Sequence, residues 1–222
     1  LTFTTNDEYA GLFGYLGNFG NAAGTVKNVV MDGIQITCNH RLGYAGGVAG
    51  FSWGTIENCS VSGSISGTVS VGGVVGAQRD RSITGCSSSA TVKAGQTSFG
   101  ATLTACYATG NVIIEIDRTQ NISGGGLVGF NDGISLLSCY ATGNVTSTGS
   151  GTGYVHIGGF LGDNYTTVTA CYWKNNHEQG IGYNRRSTEA TKVDGTSVTW
   201  KNAVDAMNTA LQNAGSEWRY EL

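Results

Sequence analysis

Three groups of residues in this chain have types and spacings that can do chemistry. Asp80, Asn131, Asp132, Asp163 and Asn164 each stand one to four residues after a glycine-rich block. Carboxylates gathered on one edge in this way can hold Ca²⁺ through oxygen ligands, or act in pairs as acid and base on a glycosidic bond, with Arg79 or Arg81 as a cationic partner. The same Asx residues also initiate turns through local hydrogen bonds. Tyr107, Tyr140 and Tyr172 each follow a cysteine directly. A row of aromatic faces can stack on sugar rings, or on itself to stabilise a sheet. The third group is the 6 cysteines. They show no C-x-x-C or Cys/His pairing at metal-ligand spacing, so a zinc site is not expected. His40, His156 and His177 stand singly in the sequence and read as solvated loop residues. Gly63 to Gly67 reads Gly-Ser-Ile-Ser-Gly, whose central residue is Ile65, so it is not a G-x-S-x-G nucleophile motif, and Gly124 to Gly129 fits G-x-G-x-x-G. In a chain with 36 Gly such a match arises by composition, and it lacks the strand–turn–helix context its chemistry requires.

The elements that must position these residues come from a repeat. A Gly-Gly-apolar-apolar-Gly block followed by Ile/Val-x-x-Cys, or its Leu counterpart, opens at Gly46, Gly72, Gly125 and Gly158, with a weaker copy at Ala10 to Gly14. The unit Leu103 to Val112 keeps the second half but lacks Gly-Gly. After each cysteine the pattern alternates with period 2, as a strand with one buried face requires. Cys106, Ala108, Gly110 and Val112 share one parity, and Tyr107, Thr109 and Asn111 the other. Cys59, Cys86, Cys106, Cys139 and Cys171 therefore point inward. Stacked residues on successive coils, ~4.8 Å apart with parallel side-chain directions, suit a ladder of small buried thiols better than disulfides. Cys38 lies outside the repeat slot. Each unit offers about three short strands, so the expected fold is all-β, a parallel β-helix or solenoid of about five to six irregular coils.

Residues 1–175 are read as the repeat and 176–222 as an irregular connection and helical cap in the same structural domain. Trp200, Val204, Met207 and Leu211 form a helical stripe, Thr199 can cap its start and Gly215 its end. This helix is expected to lie over the open end of the stack, near Cys171 to Trp173. Charged residues make up only 12% of the chain and the net charge is -3 without local concentration, which argues against nucleic acid as a partner. No apolar stretch approaches the ~18 residues of a membrane span, so membrane insertion by this segment is not expected. The chain begins at Leu1 without Met or a signal peptide, and is read as an excised segment of a longer precursor.

The blocks Gly125 to Gly129 and Cys139 to Val145, with Cys171-Tyr172-Trp173, resemble the GLUG repeat of bacterial surface and secreted proteins. The resemblance covers roughly residues 10–175. That repeat is named from the amino-terminal region of immunoglobulin A-specific metallopeptidases and also occurs in adhesin-like proteins. It implies an extracellular or cell-surface location, with a non-catalytic module of adhesin-like or spacer role whose partners are a host or matrix glycan or protein and the rest of a longer chain. The H-E-x-x-H motif of those peptidases is absent here. From fold analogy the alternative is a polysaccharide lyase or glycoside hydrolase built on one β-helix face around Asp80, Asp132 and Asp163.

Overall fold

The computed structural model describes residues 1–18, 24–79, 81–94, 102–116, 121–131 and 135–222. Apolar residues at one slot per repeat stack directly on their equivalents in the next. Val26, Ile56, Ile83, Leu103, Leu136 and Val168 are in register and buried, on six parallel strands from Thr25–Lys27 to Val168–Thr169. Six stacked strands span five turns of a parallel β-solenoid. Burying each such aliphatic side chain contributes about 1.5–3 kcal/mol, and the backbone groups bond coil to coil.

A second, longer wall runs from Thr2–Thr5 through Val30–Cys38 and Ser60–Gly67 to Thr191–Lys192. In later coils it splits into two short strands, for example Ser87–Ser88 and Thr91–Ala94. In the coils that carry the Gly-Gly block the third side is a folded arch rather than a flat wall. Tyr44–Gly46 and Ala49–Ser52 are joined by Gly47-Val48 alone, and the same arrangement recurs at Ser70–Gly72 with Val75–Gln78, Ile122–Gly125 with Val128–Asn131, and Val155–Gly158 with Leu161–Asn164.

The recurring glycines of the repeat follow from this arch. A Cβ on the first glycine (Gly46, Gly72, Gly125 or Gly158) would run into the carbonyl oxygen three residues on. One on Gly47 would lie 2.5 Å from Val61 Cγ1, and one on Gly159 2.6 Å from Trp173 Cδ1. At Gly50 it would meet the amide nitrogen of Ala10 at 2.6 Å, and at Gly162 that of Gly124 at 2.5 Å. Backbone lies against backbone, so only glycine lets the two strands of the arch close.

The corner between the first two walls is built differently. The residue before each ladder position has a left-handed conformation: Asn28, Asn58, Ala105, Ser138 and Ala170 have φ between +48° and +58°, and Gly85 has +61°. The cysteine that follows turns its sulfur back into this corner. Cys59, Cys106, Cys139 and Cys171 each donate to the carbonyl two residues earlier at 3.3 Å, and Cys86 does so at 3.4 Å. The amides of Cys59 and Cys139 donate to the sulfur of Cys86 and Cys171 at 3.4 Å. Cys59, Cys86, Cys106, Cys139 and Cys171 are free and buried, as the ladder reading expects, and Cys38, outside the ladder, is free and buried as well.

Among the described residues the arch side is interrupted once. The sheets ending at Ser70–Gly72 and Val75–Gln78 do not pair with those beginning at Ile122–Gly125 and Val128–Asn131. The unit without Gly-Gly falls at this point, and its residues 95–101 lie outside the described residues. It supplies Thr102–Thr104, Tyr107–Ala108 and Val112–Ile116 to the two continuous walls, but the link from Thr91–Ala94 to Thr102–Thr104 has no arch sequence. A cavity of about 120 Å³ lies behind the break, lined by Val71, Val75, Ile83, Leu103, Ile114 and Leu127 among others.

The helix Trp200–Asn213 is capped by Thr199, whose hydroxyl accepts from the Asn202 amide at 3.2 Å while Asn202 Oδ1 accepts from the Thr199 amide at 3.1 Å. Gly215, at φ +70°, follows its end. Ala203, Met207 and Leu211 are buried. Its position corrects the expectation of an end lid. The helix lies on the outward side of the long wall, against Tyr140, Tyr172 and Val193, and Ser138 Oγ donates to the Met207 carbonyl at 2.9 Å. The tail beyond it continues down the corner: Tyr220 donates its hydroxyl to the Ser138 carbonyl at 2.7 Å, and Trp218 packs on Gly85. The last coil is instead filled from within by Trp173, which stands where earlier coils carry Ala108 and Ala141 and which is 6% exposed. No described helix is long and apolar enough to cross a membrane.

Candidate ligand-binding groove

Two columns of side chains meet where the strands of successive arches face each other. One lies two residues before the Gly-Gly pair and stacks Tyr9, Tyr44 and Ser70, then Ser123 and His156. The other lies five residues after the first glycine and stacks Tyr15, Phe51 and Ala77, then Phe130, Asp163 and Tyr183. Each arch brings its two members together, so the columns form two strips of facing side chains, one on the first coils and one on the last, called here the arch groove.

In the first coils the groove is aromatic. Tyr9 stacks on Tyr44 with centroids 5.5 Å apart, and Tyr15 on Phe51 at 5.3 Å. Across the arch the rings meet edge to face, Tyr9 with Tyr15 at 5.3 Å and Tyr44 with Phe51 at 5.7 Å. Trp53 extends the cluster, donating Nε1–H to the Tyr15 hydroxyl at 2.5 Å, with the Arg79 guanidinium 5.8 Å from its ring. Tyr15 is 45% exposed and Phe13 40%. Burial, then the neighbouring Glu8, pushes the Tyr9 hydroxyl up to about 12.

In the last coils the same columns are polar. His156 Nδ1 lies 2.6 Å from Asp163 Oδ1, and Ser123 donates its hydroxyl to Asp163 Oδ2. The imidazole stacks on Tyr183 at 4.7 Å, with Tyr154 beyond its other side at 6.1 Å. Arg185 lies over Tyr165 at 4.9 Å and Tyr183 at 5.6 Å. The Tyr183 side chain, followed by Tyr165, favours its charged form.

This placement corrects two expectations. His156 is on a strand with a serine and an aspartate partner, not single in a loop. The repeat columns carried the signal, since Ser123 and His156 both precede Gly-Gly by two. Asp163 is 6% exposed, with Oδ2 accepting from Ser123 and Oδ1 enclosed beside the imidazole at 2.6 Å, so it is not an open cation ligand. Asp80 and Asp132 lie outside the described residues. Asn131 and Asn164 are buried in a ladder, Asn131 donating to Asn164 at 3.1 Å and Asn164 to Asn184 at 3.0 Å. Among the described residues no group of three or more His, Cys, Asp or Glu could hold a metal ion.

The tyrosine row does form: Tyr107, Tyr140 and Tyr172 are in register, and Tyr107 stacks on Tyr140 at 4.8 Å and 2°. The helix and tail use it as a docking surface. Trp200 and Tyr220 meet Tyr140 edge to face at 5.4 and 5.6 Å, and Tyr172 is 9% exposed. Burial, with Tyr107 adding to it, pushes the Tyr140 hydroxyl up to about 12.

The GLUG motif is matched at residues 42–66 and 120–146. Each span begins at an arch, passes through the first wall and the cysteine corner, and ends on the long wall, so one motif is one coil. A crystal structure of a provisionally assigned immunoglobulin A1 protease from Bacteroides ovatus is similar in fold, with a TM-score of 0.57 and 16% identity over 94% of this chain and 70% of that one. No curated protein matches the sequence.

Proposed function

We propose that this chain is a non-catalytic, glycan-binding module of a bacterial cell-surface or secreted protein, adhesin-like in action, with the arch groove as its binding surface. The observation that carries this reading is the aromatic cluster of Tyr9, Tyr15, Tyr44, Phe51 and Trp53. Rings that pack on one another outside the core and leave Tyr15 45% exposed form the kind of surface that marks a binding site. The GLUG coils and the fold shared with a provisionally assigned bacterial immunoglobulin A1 protease support a repeat segment working beside other domains of a longer chain. Glycan cleavage is the weaker reading: it needs two free carboxylates, and Asp163 already serves His156 and Ser123.

The test is a glycan array and a host-matrix panel probed with the purified chain and with a Tyr15→Ala/Trp53→Ala double variant. Glycan binding that the double variant loses while keeping its melting temperature supports the groove. Binding unaffected by the two changes, or no binding at all, overturns it, the latter leaving a spacer. Turnover of any polysaccharide by the purified chain overturns the non-catalytic assignment.

A further inference from the structure

We infer that the cavity behind the break in the arch side is a binding site for one small apolar molecule, a single hydrocarbon ring of benzene or cyclohexane size, separate from the arch groove. Its origin lies in the register of the coils. Phe13, Ala49 and Val75 stack in one column of the early arches, and Val128, Leu161 and Ile181 hold the same slot in the late ones. Ala49 and Leu161, with a neighbour on each side, are fully buried. Among the described residues Val75 has no successor and Val128 no predecessor, and both remain half-buried.

The two walls hold this gap open. Ile83, Leu103 and Leu136 are in register on one wall, and Val92, Val112 and Val145 on the other. Neighbouring parallel strands lie ~4.8 Å apart, so the unit that adds Leu103 and Val112 sets the flanking arches roughly 10 Å apart. Closing the space would break both ladders, and close-packed walls do not yield to fill a void.

The lining decides the chemistry of the occupant. Val75, Leu127 and Val128 bound the cavity on the arch side and Ile83, Leu103 and Val92 on the walls, and no charged side chain reaches it among the described residues. Polar side chains at its edge are turned to other partners. Gln78 Nε2 donates to the Gly54 carbonyl at 2.6 Å, Ser88 Oγ accepts from the Ala90 amide at 3.2 Å, and Ser123 donates to Asp163. A sugar or an anion would bury hydroxyls or charge against aliphatic walls. Size narrows the choice further. At about 120 Å³ the cavity is a little smaller than the ~150 Å³ of an apolar protein cavity that stays dry and takes up benzene or xenon. One six-membered ring fits, and the described arch strands beside it are unpaired, so its entry breaks no ladder.

The experiment is calorimetric titration and thermal unfolding of the purified chain with benzene, toluene and cyclohexane, with glycerol as the polar control. At least one ring should bind saturably at one site per chain and raise the melting temperature as its concentration grows, while glycerol should not bind. Val75→Phe fills the cavity from the early arch and Leu127→Phe from the late one, and each should weaken ring binding by roughly tenfold or more, since the added ring occupies the same space. The two substitutions lie on different coils, so one keeps the test valid if the other disturbs the fold. Lys201→Gln on the helix should change nothing. A crystal held under xenon should show the gas between Val75 and Val128. No saturable binding of any of the three rings, binding that survives both Val75→Phe and Leu127→Phe, or a xenon crystal with only ordered water in the cavity overturns the inference. None of these results depends on glycan binding, so the groove stands or falls by its own test.

Discussion

The cysteine ladder makes the stability of this solenoid fall in mild alkali. Burial pushes the thiols of Cys106 and Cys139 well above the usual 9.0, and contact with Cys106 together with burial does the same for Cys86. An acid whose pKa is raised on folding keeps its proton longer in the folded chain than in the unfolded one. Its stabilising contribution is complete below the unfolded value near 9.0 and is lost progressively above it. By about pH 10 the unfolded chain gains on the order of 1 kcal/mol per ionised thiol, a few kcal/mol for the ladder. That is a large part of the 5–15 kcal/mol that typically holds a domain together. The assay is urea unfolding followed by circular dichroism under reducing conditions, at about pH 8 and pH 10. The midpoint should drop strongly between them. Cys106→Ala should remove a clear part of the drop, because it deletes one buried thiol and releases Cys86 from its main perturbing neighbour. A midpoint unchanged between the two pH values, or a full drop surviving in Cys106→Ala, refutes the reasoning.

Other consequences follow from packing. Gly162→Ala should cost about 3 kcal/mol in urea unfolding, the upper end for an overpacked site, since its Cβ would press on the backbone of Gly129 and Gly124. Trp173→Ala should cost about 3–5 kcal/mol by the same measurement, because it empties the end of the core. Tyr220→Phe should lower stability by about 1 kcal/mol, since the Ser138 carbonyl loses the hydroxyl donor at 2.7 Å. Truncation after Thr199 should uncover Tyr140 and Tyr172 and drive association in light scattering. A truncated chain that stays monomeric with an unchanged melting temperature would show that the helix is not needed to cover that row.

Much of the fold was legible because the repeat is dictated by local physics. Period 2 after each cysteine placed Cys106, Ala108 and Val112 on one face and Tyr107 on the other, and missing Gly-Gly marked where the arch side is interrupted. The helix was readable from Thr199, Met207 and Leu211. Its docking place was not, because an apolar stripe says that a surface must be covered and not which one. The left-handed corner left a trace in Asn28, Asn58 and Gly85, residues that tolerate positive φ. Ala105, Ser138 and Ala170 obscured it, since stacking on neighbouring coils holds them there against their own preference. The groove was missed because its members are defined by position in the repeat rather than by type. Tyr44, Ser123 and His156 have nothing in common until the coils are laid one on another.

Trp173 also acts as a terminator. Coils that present Ala108 or Ala141 at this slot leave room for the neighbouring coil inside the tube, whereas the indole fills the space up to Gly159 and Gly180. The length of the stack is therefore written at one residue, the point where the repeat exchanges alanine for tryptophan.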